Sequence, residues 1–271
     1  MRSFNPKKNL PSVLLLLLLC GLILCPLITV FEKAVIIDGR LDLYQAWRTI
    51  ANAENVQTVC NSLWLGVCVV LCSTVIAVPT AYLLARTRLA AHGWLDIVFM
   101  IPFMTPPYIA SMGWILFMQK RGLFQQLFPA TGSWSEGFFC FGRLVLVMSL
   151  HVFPFLMTML KNAMLNIPAS LEESGAVFGG TPAYVFCRVT LPMISRGIFA
   201  GWMMIFIIAF RELVTASLIA PPNTLVVSTY INREFEQGSV SLGMAMAVLC
   251  VLITTTALLV FNRFVGKRKG A

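Results

Sequence analysis

Two adjacent charges, Arg211 and Glu212, sit in a stretch that is otherwise apolar from Ile198 to Ala220. Holding one charge at the middle of a bilayer costs at least about 2.5–3.5 kcal/mol, so such residues face a bundle interior or an aqueous path. Neighbours on a helix project about 100° apart, so the pair cannot neutralise each other along one face. Two readings stand side by side. They form a translocation-path or gating pair, or they are hydrogen-bonded anchors whose counterparts are His151, Asn61 or a partner chain. His151, beside Phe153-Pro154, reads as a packing donor before a metal ligand. The eight cysteines form no C-x-x-C pair, and Cys68 and Cys72 share a helix face with no histidine or carboxylate to complete a site. The sequence holds no Ser-His-Asp set, no H-E-x-x-H and no paired intramembrane Asp. We therefore expect no catalytic residues, no metal and no cofactor. There is also no G-x-x-x-x-G-K-[ST] phosphate loop, so any ATP that drives this protein must be bound by another chain.

The elements that must position these residues are set by composition. Hydrophobic residues make up 58% of the 271, charged residues only 11%, and mean hydropathy is +0.84. Soluble domains carry about a quarter charged residues. So few charges cannot cover a water-facing surface, and the solvent must be lipid. The net charge of +9 could suggest nucleic acid, but the basic residues cluster at the ends of apolar runs, as orientation signals do.

A membrane helix needs about 20 apolar residues to cross roughly 30 Å of hydrocarbon. Six segments qualify: 13–31, 59–85, 94–117, 144–160, 198–220 and 241–261. The third is broken by Pro102, Pro106 and Pro107. The first follows basic Arg2, Lys7 and Lys8 like a secretory signal, but its apolar run outlasts a signal core of about 7–15 residues. It reads as a retained membrane helix. Lys and Arg number twelve on one side of the predicted membrane and seven on the other. That excess places both termini in the cytoplasm, with Lys267-Arg268-Lys269 the clearest anchor. Trp47, Trp94, Trp114 and Trp134, near span ends, read as interfacial anchors. No internal repeat of the kind common in secondary transporters is visible.

The connection from Lys161 to Ser195 is unlike a simple membrane hairpin. Ser170 and Glu173 fit an S-x-x-E capping box opening a short helix, Leu171–Phe178, which Gly179-Gly180 stops. Thr181 as N-cap and Pro182 at the first helical position restart a helix. Leu191-Pro192 is expected to end it before the next span. The segment reads as helix, glycine corner, helix: a compact platform at the cytoplasmic face.

Glu173-Ser174-Gly175, then Gly179, then Val189-Thr190-Leu191-Pro192 resembles the E-A-A-x-x-x-G-x(9)-I-x-L-P loop of binding-protein-dependent ABC importer permeases, with all spacings kept. Ser174 and Gly175 replace both alanines and Val189 the isoleucine. The run Pro79-Thr80-Ala81-Tyr82-Leu83-Leu84-Ala85-Arg86-Thr87-Arg88 resembles the same family's second-span ending. The resemblance implies that 161–195 forms coupling helices that dock on a cytoplasmic ATPase, through Glu172, Glu173, Ser174, Gly175, Gly179, Val189, Leu191 and Pro192. It implies an all-α inner-membrane protein with six transmembrane helices and a cytoplasmic helix-turn-helix coupling loop. The whole of 1–271 would be one permease domain with its core at about 59–261. The implied partners are an ATP-binding cassette ATPase dimer, a second permease subunit (the same chain or a sister) and a periplasmic solute-binding protein. The segment Pro102–Trp114, followed by Gly122-Leu123, resembles permeases of the ferric-iron branch, ranking ferric iron first and then polyamine, phosphonate or sulfate. An ion-coupled secondary transporter is the rival class.

Overall fold

The computed structural model describes residues 6–37, 40–41, 47, 51–129, 137–222 and 224–267. Arg2, Trp134, Arg268 and Lys269, used above as orientation or interface signals, lie outside these. The described residues are mostly helical, with a short hairpin in which β1 (Ile36–Ile37) pairs antiparallel with β2 (Arg40–Leu41). The helices relevant here are α1 (Pro6–Val35), α2 (Ala53–Arg86), α3 (Trp94–Met104), α4 (Pro107–Met118), α5 (Leu123–Leu127) and α6 (Phe141–Leu165). They continue with α7 (Ala169–Val177), α8 (Pro182–Val185), α9 (Leu191–Phe210), α10 (Val214–Ile219), α11 (Val227–Glu236) and α12 (Val240–Lys267).

Five helical stretches among the described residues are long and apolar enough to cross a membrane. The sixth is a broken one: α3 and α4–α5 pass the same test together but bend by 89°. The break has a local cause. A residue that precedes proline is pushed out of the α region, and Thr105 (ψ 129°) and Pro106 (ψ 136°) both precede one. Pro107 then starts α4, where its missing N–H costs nothing. The Thr105 N–H closes the last turn of α3 on the Ile101 carbonyl at 3.0 Å, and the Thr105 hydroxyl donates to the same carbonyl at 2.8 Å.

The chain divides into two compact units, Met1–Gln57 with Tyr230–Ile253, and Thr58–Thr229 with Thr254–Ala271. In the first, the apolar window of α1 is not buried within the chain at all. Arg233 of α11 pairs with Glu54 at 3.0 Å and with the buried Glu234 at 3.2 Å, and lies over the Tyr230 ring at 5.1 Å. Burial works against the Arg233 charge, but the two carboxylates outweigh it and raise its pKa.

The second unit holds the main core, built from α2, α6 and α9 around Leu65, Val69, Leu144, Leu156, Leu160 and Ile205. Helices in lipid gain from close packing and interhelical hydrogen bonds rather than from expelling water. Gly201 supplies the first, since a Cβ there would lie 2.3 Å from Leu156 Cδ1. The indole N–H of Trp202 supplies the second, donating to Thr74 Oγ1 at 2.8 Å.

Candidate functional site

After the end of α6, the 161–195 segment folds as a short helix, a glycine corner and the first turns of a long helix, with three departures from the sequence reading. First, α7 starts at Ala169 with Pro168 at the cap, so Ser170 lies inside the first turn and the capping box does not form. Proline's fixed φ starts the helix without a side-chain cap. The Ser174 hydroxyl instead donates back to the Ser170 carbonyl at 2.7 Å. Second, α7 covers Ala169–Val177 rather than 171–178. Third, Leu191-Pro192 does not end the second helix. The chain runs on as helix from Pro182 to Phe210 through a π turn at Phe186–Thr190, where the Leu191 N–H reaches the Phe186 carbonyl. A proline ring clashes with the carbonyl four residues back, here that of Arg188, and offers it no donor. The wider π register just before Pro192 relieves that clash within a continuous helix.

The corner forms as expected. Gly179 has φ +82°, the left-handed region that glycine enters freely. Its N–H bonds to the Ala176 carbonyl and that of Gly180 to the Gly175 carbonyl, the paired closure of a Schellman end. Thr181 caps α8, accepting from the Tyr184 N–H at 3.3 Å, with Pro182 in the first turn. Gly175 points inward: a Cβ there would stand 3.0 Å from Val185 Cγ2. Its small size serves the contact between α7 and α8.

The other named residues separate into inward and outward sets. Glu172 is largely covered and pairs with Arg86, while its neighbour Glu173 is exposed. Val189 and Leu191 are half-buried, and Ser174 and Pro192 are exposed. Three features escape the motif. Arg86 and Thr190 hold Glu172 from two sides, and Val177 and Phe178 stand 83% and 91% exposed at the tip of α7. The order Val-Phe-Gly-Gly carried the signal for the last, because a helix that stops at glycine presents its final apolar residues at a corner.

Arg211 and Glu212 do not lie on one helix. α9 ends at Phe210 and α10 begins at Val214, so the expected 198–220 span is interrupted. The Glu212 carboxylate turns onto the start of α10, accepting from the Val214 and Thr215 N–H groups at 3.1 Å each. Its carbonyl accepts the Ser228 hydroxyl at 2.8 Å. These are unpaired helix donors, and a carboxylate there is favoured by the helix dipole. Arg211 is exposed. Asn61, named as a counterpart, donates to the Leu225 carbonyl at 3.0 Å. His151 lies against Phe103 (6.1 Å between rings) and lines a cavity of about 360 Å³ with Pro102, Thr105 and Trp114, at the break between α3 and α4. Among the described residues no group of three or more His, Cys, Asp or Glu could hold a metal ion.

Glu212→Ala should cost about 1–2 kcal/mol, the usual loss for a helix-end acceptor, and reduce the amount of folded protein. Glu212→Gln keeps an acceptor oxygen and should lose less. Detergent-extracted yield and thermal denaturation of the two variants check the order; equal loss would mean that the charge, not the cap, matters.

Five helical stretches long and apolar enough to cross a membrane, with one broken pair, are the pattern of a polytopic membrane protein. The chain belongs to the family of binding-protein-dependent transport system inner membrane components, which it matches over residues 73–270. It is therefore a multi-pass inner-membrane protein and a non-enzymatic part of a transporter. It is similar to the inner membrane ABC transporter permease protein YdcU of Escherichia coli, 25% identical over 240 residues (83% of this chain, 75% of that one). It is also similar to the molybdenum transport system permease protein ModB of Mycobacterium tuberculosis, 24% identical over 255 residues (92% and 94%). A solved bacterial alginate ABC transporter, in complex with an alginate pentasaccharide-bound periplasmic protein, shares the fold with TM-score 0.75 at 17% identity, covering 98% of this chain and 97% of that one.

Proposed function

We propose that this chain is the membrane-spanning permease of an ATP-driven importer, and that 161–195 is the platform through which a separate ATPase moves it. Residues 1–271 then form one permease domain, with the core at about 59–261 and both termini in the cytoplasm. The chain pairs with itself or a sister permease. An ABC ATPase dimer docks on the platform, and a periplasmic binding protein delivers solute on the other face.

One observation carries the coupling role. Val177 and Phe178 are almost fully exposed on a corner that is bonded behind them by glycine closure, a threonine cap and an internal ion pair. A large aromatic left in water on a well-ordered support is what a docking surface requires. Glu173 adds an exposed charge on the same helix.

For Glu212 a structural role is the better supported of the two, through the start of α10 rather than through His151 or Asn61, because its carboxylate is used there; the exposed Arg211 keeps both readings. Substrate is a finer matter. Ferric iron, ranked first on Pro102–Trp114, gains nothing from relatives named for molybdenum or diacetylchitobiose, whereas phosphonate, ranked below it, gains support from a relative named for a 2-aminoethylphosphonate transport system.

Orientation is tested by fusions. A reporter active only in the cytoplasm should work after Ala271, and one active only in the periplasm should work within residues 133–137. Cytoplasmic activity from the second site would break the six-span arrangement.

A further inference from the structure

Four pieces of the second unit meet at the ion pair of Arg86 and Glu172. Arg86, the last residue of α2, pairs through Nε with Glu172 of α7, at 3.2 Å from Oε1 and 3.0 Å from Oε2. Its Nη2 donates to the carbonyls of Met164 (2.8 Å) and Ile167 (3.1 Å), at and just beyond the end of α6. Glu172 Oε1 also accepts the hydroxyl of Thr190, the last residue of the π turn that leads into α9. Arg86 and Glu172 are 14% and 19% exposed, and Thr190 is 1% exposed.

The chemistry suits one residue type at each corner. The last carbonyls of a helix lack intrahelical donors and carry partial negative charge. A guanidinium has five donors in a fixed fork and can serve a carboxylate and two carbonyls together, which an ammonium on a flexible stem cannot do in the same geometry. With the carboxylate held on one side by Arg86, the hydroxyl of Thr190 brings in the fifth span. A push on α7 is thereby passed to α2, α6 and α9 through short, nearly buried bonds.

Resting on the reading of 161–195 as the coupling platform, we propose that Arg86, Glu172 and Thr190 form the linkage that makes the platform and the second, fourth and fifth spans move as one body. They are positioning residues: none touches solute or ATP. A linkage that transmits force should, when loosened, allow ATP hydrolysis to continue while transport falls. A bond that merely stabilises the fold should lower the amount of complex and leave the work done per ATP alone.

The test uses the full chain reconstituted with its ATPase and binding protein in proteoliposomes. It measures uptake of whichever labelled solute that binding protein retains from ferric ion, putrescine, phosphonate, sulfate and molybdate, together with phosphate released, per assembled complex. Thr190→Val removes only the hydroxyl and keeps the shape, while Thr190→Ser keeps the hydroxyl. Arg86→Lys keeps the charge and loses the fork. Uptake per ATP should fall about tenfold in Thr190→Val and Arg86→Lys, within the range in which single substitutions alter coupling between sites. Thr190→Ser should restore it to within about twofold of the parent chain. Uptake per ATP unchanged in Thr190→Val and Arg86→Lys, with or without loss of complex, would overturn the linkage. Phe178→Asp, run beside them, separates the two ideas. Normal uptake by that variant removes the platform reading itself. An inactive Phe178→Asp beside fully coupled Thr190→Val removes the linkage alone.

Discussion

Phe178→Asp should leave the permease inserted and folded, yet abolish ATPase co-purification and uptake. The side chain is 91% exposed; Phe178 is the C-cap residue of α7, but its cap bonds are made by the backbone, so a carboxylate there should cost only the helix-dipole penalty of about 0.3–1 kcal/mol. An aromatic at the centre of an interface is worth at least about 2 kcal/mol on truncation. A buried, unpaired carboxylate in its place adds a desolvation penalty. Together these predict a loss of ATPase affinity of at least about thirtyfold. Glu173→Lys should act in the same direction by reversing an exposed charge. Gly179→Asp should be mixed, because φ +82° strains a residue with a Cβ by about 1–2 kcal/mol as well as placing a new charge at the corner. Quantitative co-purification, normalised to inserted permease, checks all three. If Phe178→Asp and Glu173→Lys both retain the ATPase and transport normally, 161–195 does not dock it.

How much of this was legible in the sequence varies by element. The long apolar runs were plain, because lipid demands about 20 apolar residues per helix whatever the tertiary packing. The glycine corner and the Thr181-Pro182 start were also plain, since each depends on one residue's own backbone preference. Ser170-Glu173 misled because a capping pattern competes with the proline two residues before it. Pro168 set the start of α7 two residues earlier than a Ser170 cap requires. Leu191-Pro192 misled because proline was read as a stop, whereas a π turn absorbs it within a continuous helix. For Arg211 and Glu212 the sequence showed that two charges need partners. It did not show that the helix breaks there and that the partner of Glu212 is the backbone just after it. The link between Arg86 and Glu172 spans 86 residues, so no local pattern could pair them, although each belongs to a segment that resembles the permease family.

The energy source of transport tests the account most directly, and the expected effect is all-or-none. The chain has no phosphate loop of its own, and the proposed function assigns the work to a partner ATPase. In proteoliposomes holding the permease and its ATPase, with the binding protein and labelled solute outside, uptake should require ATP inside. It should stop when the phosphate-loop lysine of the ATPase is replaced, because that residue holds the transferred phosphate. Dissipating the proton and sodium gradients with ionophores should leave the rate unchanged. That is the predicted result. Uptake that persists without ATP or binding protein and collapses with the ion gradient would contradict it and identify an ion-coupled transporter.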